Sequence, residues 1–83
     1  MTYIVHWTKE AINQLAAIWN ASRDREAVTE ASYRIDRTLA ATPAEQGEER
    51  PPRHRIMFDS PLVVIYRIDE AKNRVVVVNC RQY

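Results

Sequence analysis

One cysteine, one glycine and only two lysines, Lys9 and Lys72, stand among the 83 residues. A lone cysteine closes no intrachain disulfide, and two separated histidines without further cysteines or clustered carboxylates give no metal-ligand spacing, so neither a metal nor another cofactor is expected. No apolar run is long enough to span a bilayer and no secretory leader pattern is visible. Both absences point to the reducing cytoplasm and away from a membrane partner. Charge of one sign is also missing: 12 Lys+Arg stand against 11 Asp+Glu, a net of +1. No global field therefore draws the chain to nucleic acid or lipid, and any such binding has to come from local clustering.

What is present is the balance of a folded domain, with 46% apolar and 28% charged residues. The length fits one domain over residues 1–83 and excludes a second folding unit. Folding a chain this short hides only about two-thirds of its surface, so partner contacts weigh heavily in its stability.

Tyr3 to Trp7 is rich in β-branched and aromatic residues and predicts a strand. Thr8 is a good N-cap, and Ile12, Leu15, Ile18 and Trp19 then recur at helical spacing with Ala11 and Ala16 beside them. Asn20 to Asp24 interrupts, offering Ser22 or Asp24 as a second cap. Val28, Ala31, Ile35 and Leu39 mark another helix ending near Ala41. So short a connection requires an antiparallel hairpin. Pro43, Gly47, Pro51 and Pro52 then predict a loop. Strand patterns follow at Arg53 to Phe58, Leu62 to Asp69 and Arg74 to Arg81, separated by turns at Asp59-Ser60-Pro61 and Glu70 to Asn73.

The order β-α-α-β-β-β predicts an α+β domain with the helical hairpin on one face of a small, mainly antiparallel sheet. A half-exposed strand should alternate, yet Leu62 to Tyr66 and Val75 to Val78 are apolar without interruption. Either both sheet faces are covered, the second by a partner chain, a second copy or a ligand, or these are central strands with a few exposed valines.

These residues carry a resemblance. A strand ending in Trp7-Thr8, the helix pattern Ala11, Ile12, Leu15, Ala16, Ile18, Trp19, the second helix at Ala31, Ile35 and Leu39, then Pro43, Gly47 and Arg50, and the ending Arg55, Tyr66-Arg67-Ile68-Asp69, Val75 to Arg81 together resemble the RelE/ParE toxin superfamily. The likeness spans the whole chain, in short pieces whose order and spacing carry it. It implies a toxin neutralised by a small antitoxin, with activity directed either at DNA gyrase or at ribosome-bound messenger RNA, which some relatives cleave. The alternative is a non-toxic or degenerate relative serving as an interaction module or homodimer.

Metal-independent RNA cleavage needs a base for the 2′-hydroxyl, cations for the phosphate and an acid for the leaving oxygen. At places comparable to those in RNA-cutting relatives, the catalytic candidates are Arg55, Arg81 and Tyr83, with Arg53, His54, Arg67 and Asn79 as RNA- or partner-binding candidates. Period-two alternation puts Asn79, Arg81 and Tyr83 on one face, and Arg53, Arg55 and Met57 together on one face of their strand, with His54 opposite them. Whether the two sets share a side depends on register. Pointing away from the helices, they would form a basic patch able to grip phosphate. Otherwise the arginines are solvated or paired with Glu45, Glu48 and Glu49. Cys80 reads as a small buried hydrophobe, His6 as structural, and Trp7, Trp19 and Tyr33 as core or helix-packing residues.

Two departures from the resemblance count against cleavage. The arginine that many RNA-cutting relatives carry after the turn is absent from Asp59-Ser60-Pro61-Leu62-Val63, and the lysine-rich surface of a ribosome-associated nuclease is missing.

Overall fold

The computed structural model describes residues 2–83. Strand β1 (Ile4–Trp7) leads into helices α1 (Lys9–Ala21) and α2 (Arg25–Ala41), and strands β2 (Glu48–Arg50), β3 (His54–Asp59), β4 (Leu62–Asp69) and β5 (Arg74–Gln82) follow. All the strands join one sheet in the order β1-β5-β4-β3-β2. The expected α+β architecture is present, with the helical hairpin on one face of a mainly antiparallel sheet. The short strand β2 falls inside the stretch read as loop. Its residues Glu-Glu-Arg carry no strand signature, and pairing with β3 alone makes them a strand.

Both helix starts follow their caps. The Thr8 hydroxyl accepts the Ala11 N–H at 3.1 Å, and the Asp24 carboxylate accepts that of Ala27 at 3.1 Å. Ser22 instead ends α1 and accepts the Asp24 N–H at 3.0 Å. Arg25 ties the two helices together: it donates to the carbonyls of Trp19 and Asn20, and its guanidinium lies 4.8 Å from the Trp19 ring centre. The Trp19 indole donates to the Thr29 hydroxyl, so this residue packs at the hairpin although partly exposed. Tyr33 does not pack. It sits on the outer side of α2, exposed, because the buried stripe runs through Val28, Ala31, Ile35 and Leu39.

That stripe meets Met57, Leu62, Val64, Tyr66, Val75, Val77 and Cys80 from the sheet, with Trp7 and Leu15 packed alongside. Trp7 donates its indole N–H to Asp36 at 2.6 Å, tying β1 to α2. The N-terminal strand runs parallel to β5, with Val5 opposite Val75 and Trp7 opposite Val77. Past Trp7 that edge of β5 has no strand beside it. There the Cys80 N–H donates to the Gln14 side chain of α1 at 2.8 Å.

Two carbonyls of the loop before β2 are held from within. The buried Tyr66 hydroxyl lies 2.7 Å from the Pro43 carbonyl and 2.9 Å from that of Gln46, so one proton is shared between two acceptors. Gly47 turns the chain at φ +65°, where an added Cβ would run into the Ile56 carbonyl.

Candidate functional site

The face of the sheet away from the helices is formed by Ile4 and His6 of β1, Val76, Asn79 and Arg81 of β5, Val63, Ile65 and Arg67 of β4, and His54, Ile56 and Phe58 of β3. Register places these side by side: Phe58 opposite Val63 and Val63 opposite Arg81, Ile56 opposite Ile65 and Ile65 opposite Asn79, Arg67 opposite Val76 and Val76 opposite His6. Most of its centre is half-buried without cover from another layer, and Val76 is only 4% exposed. At one end Phe58 and Tyr83 are exposed and stack edge to face with ring centres 5.2 Å apart.

A β-bulge decides which residues reach this face. Ile65 lies opposite Asn79, while the next residue, Tyr66, lies opposite Val77, so Val78 is the extra residue of β5. In an uninterrupted strand Val75, Val77, Asn79 and Arg81 would share one side. Because Val75 and Val77 are buried against the helices, that side is the core. The bulge switches the parity, so Cys80 turns inward and Asn79 and Arg81 turn out.

The open face therefore brings together Arg81, Tyr83, Asn79, Arg67 and His54. Arg81 donates to the Asn79 side chain at 3.0 Å and, like Arg67 and Arg53, forms no ion pair among the described residues. Within the face these polar side chains fall into two groups. Arg81 lies level with Val63 and Tyr83 beside Pro61, whereas His54 and Arg67 lie near the other end of β4, about 13 Å from Arg81 along the strands at ~3.3 Å per residue.

Arg55 does not join them. It stands opposite Tyr66, on the helix side of β3, and donates to the carbonyls of Gln46 at 2.9 Å and Gly47 at 3.3 Å, with Glu49 3.7 Å away. Burial raises the pKa of the Tyr66 phenol above its ordinary value, while the Arg55 guanidinium pulls the other way. Arg53 lies in the turn before β3. Together with Arg50, His54 and Arg55 it lines an open concavity of about 610 Å³, where Glu49 also sits and Arg50 pairs with Glu48 at 3.1 Å. Pairing with the loop glutamates thus describes Arg50 and Arg55, whereas Arg53, Arg67 and Arg81 are exposed to solvent.

Sequence reasoning did not single out Arg34 or Asp59, whose carboxylate accepts two N–H groups of Arg34 at 2.8 and 3.1 Å. A cation on the outer side of a helix carries no signal that it reaches a turn of the sheet. Of the apolar open-face residues, Val63, Ile65 and Val76 fell within the two uninterrupted apolar runs, whereas Ile56 and Phe58 of β3 lay outside them.

Comparison with known proteins gives the fold a lineage. Solved structures resemble the chain over essentially its full length. The RelBE2 toxin–antitoxin complex of Mycobacterium tuberculosis matches with TM-score 0.79 and 17% identity, over 100% of this chain and 93% of that one. A chromosomal ParDE system of P. aeruginosa matches with TM-score 0.76 and 14% identity, covering 98% and 96%. The E. coli toxin RelE, in a free-state mutant, follows with TM-score 0.70 and 14% identity, covering 99% and 84%. No curated protein matches by sequence. A family model does: that of the ParE toxin of type II toxin-antitoxin system, parDE, matches residues 5–81, from the first strand to Arg81. The chain belongs to this ParE toxin family, within the RelE/ParE superfamily of type II toxin–antitoxin toxins.

Proposed function

We propose that this toxin works by binding rather than by cutting: it inhibits growth through DNA gyrase, and a small antitoxin neutralises it by covering the open sheet face. The observation that carries this reading is the composition of that face. Its floor is Ile56, Phe58, Val63, Ile65 and Val76, and its cations stand at separate ends. Cleavage of one phosphodiester needs base and acid within hydrogen-bond reach of the same phosphate, about 3 Å from the atoms they serve. Arg81 and Tyr83 at one end and His54 at the other cannot meet that condition together, and Arg55 is committed to loop carbonyls on the far side of the sheet.

An apolar floor with cations at its margins fits a protein partner, which can bury the centre and pair with the rim. Likeness to ParDE and RelBE complexes supports a proteinaceous antitoxin as one such partner. The ParE family match and the scarcity of lysine favour gyrase over ribosome-bound message as the target.

The test is inducible expression in a bacterial host, followed by assays with purified components. Wild-type chain should arrest growth and block supercoiling by gyrase, and leave messenger RNA intact by primer extension. Val63→Glu, which puts a carboxylate in the floor, should abolish both effects with folding preserved. Message cleavage that disappears in Arg81→Ala and Tyr83→Ala would overturn the reading in favour of a ribonuclease. A stable, non-toxic homodimer would replace it with an interaction module.

A further inference from the structure

A chain of directed contacts crosses the sheet at the Phe58–Tyr83 end. On the helix side Arg34 of α2 donates from Nε and Nη2 to Asp59 Oδ1 at 3.1 and 2.8 Å, and from Nε to Oδ2 at 3.2 Å. Its Nη2 also reaches the Ser60 carbonyl at 3.3 Å. Asp59 is the last residue of β3, and its neighbour Phe58 points to the opposite side of the strand. Two residues on, the Pro61 carbonyl accepts the N–H of Tyr83 at 3.2 Å, and the Tyr83 ring stacks on Phe58. The turn Asp59–Pro61 is thus held from one side of the sheet and seats two aromatic rings on the other.

We propose that Arg34 is a positioning residue for the Phe58–Arg81–Tyr83 corner of the open face. The inference rests on reading that face as the toxin's working surface. A short turn at the edge of a sheet belongs to the part of a molecule that opens most easily. A guanidinium fork on a carboxylate and a carbonyl fixes both the place and the rotation of such a turn, which the point charge of a lysine does not. Since Val63 lies opposite both Phe58 and Arg81, any twist of the turn moves the rings against the arginine beside them.

The experiment uses isotope-labelled full-length chain from cell-free synthesis. Amide exchange and ring resonances are read by NMR, and gyrase supercoiling is titrated with the same samples. Arg34→Gln and Asp59→Asn should each speed exchange of the Tyr83 amide about tenfold, shift the Phe58 ring signals, and raise the concentration needed to inhibit gyrase by about tenfold. The Tyr66 ring signals, deep in the core, should stay in place. The charge-swapped double variant Arg34→Asp, Asp59→Arg should recover both readouts. Unchanged Tyr83 exchange and Phe58 signals in Arg34→Gln would overturn the proposal, whatever gyrase does. Failure of the functional reading is distinct: Phe58→Ala and Tyr83→Ala would then inhibit gyrase as well as wild type does.

Discussion

Single residues in this toxin are decided by what lies on the far side of the strand. Cys80 is 1% exposed, and burial pushes its thiol from the ordinary 9.0 up to about 11. Above pH 9 the unfolded chain gives up this proton while the folded chain keeps it, so stability is whole below pH 9 and falls as pH rises toward 11. The loss should approach about 1.4 kcal/mol per pH unit in that window. Urea midpoints measured across it should fall more steeply for wild type than for Cys80→Ala. Tyr66, also raised, remains in both proteins and cancels in the comparison. Gln14 offers a second check. Its side chain is the acceptor for the Cys80 N–H, and Gln14→Ala should cost about 1–2 kcal/mol by leaving a partly buried donor unpaired. The burial of Cys80 was readable from its residue type. The role of Gln14 was not, because a glutamine on a helix announces nothing about the strand it faces.

At the scale of elements, the periodicities of α1, α2 and the strands β3 to β5 were plain in the chain, and so were the cap at Thr8 and the breaks at Pro43 and Asp59. Charged β2 and the pairing of β1 with β5 were hidden, since both are made by contacts with distant segments. The bulge was hidden for a sharper reason. Four consecutive valines, Val75 to Val78, satisfy either parity, so no pattern says where the extra residue sits or which way Arg81 points. The same ambiguity left Arg55 able to fall on either side. Substitution exposes what the pattern conceals: Val77→Ala should cost about 2 kcal/mol, and Val78→Ala less than about 1 kcal/mol, as read by thermal or urea unfolding. Equal costs would place the bulge elsewhere. Strands β3 and β4 are likewise tied to the loop before β2, through Arg55 and Tyr66 respectively. Tyr66→Phe should lower stability by about 1–2 kcal/mol and loosen residues 43–50 in hydrogen exchange.

Over the whole molecule, one layer of helices covers one side of a five-stranded sheet and leaves the other side half-buried. Among the described residues no helix is long and apolar enough to cross a membrane. With so small a core, a ligand that binds only the folded form has a large effect: a partner at a hundred times its Kd adds about 2.7 kcal/mol and should raise Tm by roughly 10 °C or more. Antitoxin titrated into the toxin should produce that rise, and Val63→Glu should remove it. The net charge and the general apolar character of the face were legible in composition. Its division into an aromatic corner and a distant basic end needed the register.

The parallel pairing of β1 with β5 also sets which contacts must wait for one another during folding. Ile4 lies opposite Arg74, and the Thr8 N–H bonds the Val77 carbonyl, so β1 pairs only with the strand that follows all the other elements in chain order. Until β5 is in place, β1 has no neighbour, β4 lacks one edge, and the inward-facing stripe of α2 is missing Val75 and Val77 as companions. A chain without β5 lacks Val75, Val77 and Cys80 of the core and the corner built by Arg81 and Tyr83. Strand β5 is thus the element on which both sides of the sheet depend, lending Val75, Val77 and Cys80 to the core and Asn79 and Arg81 to the open face.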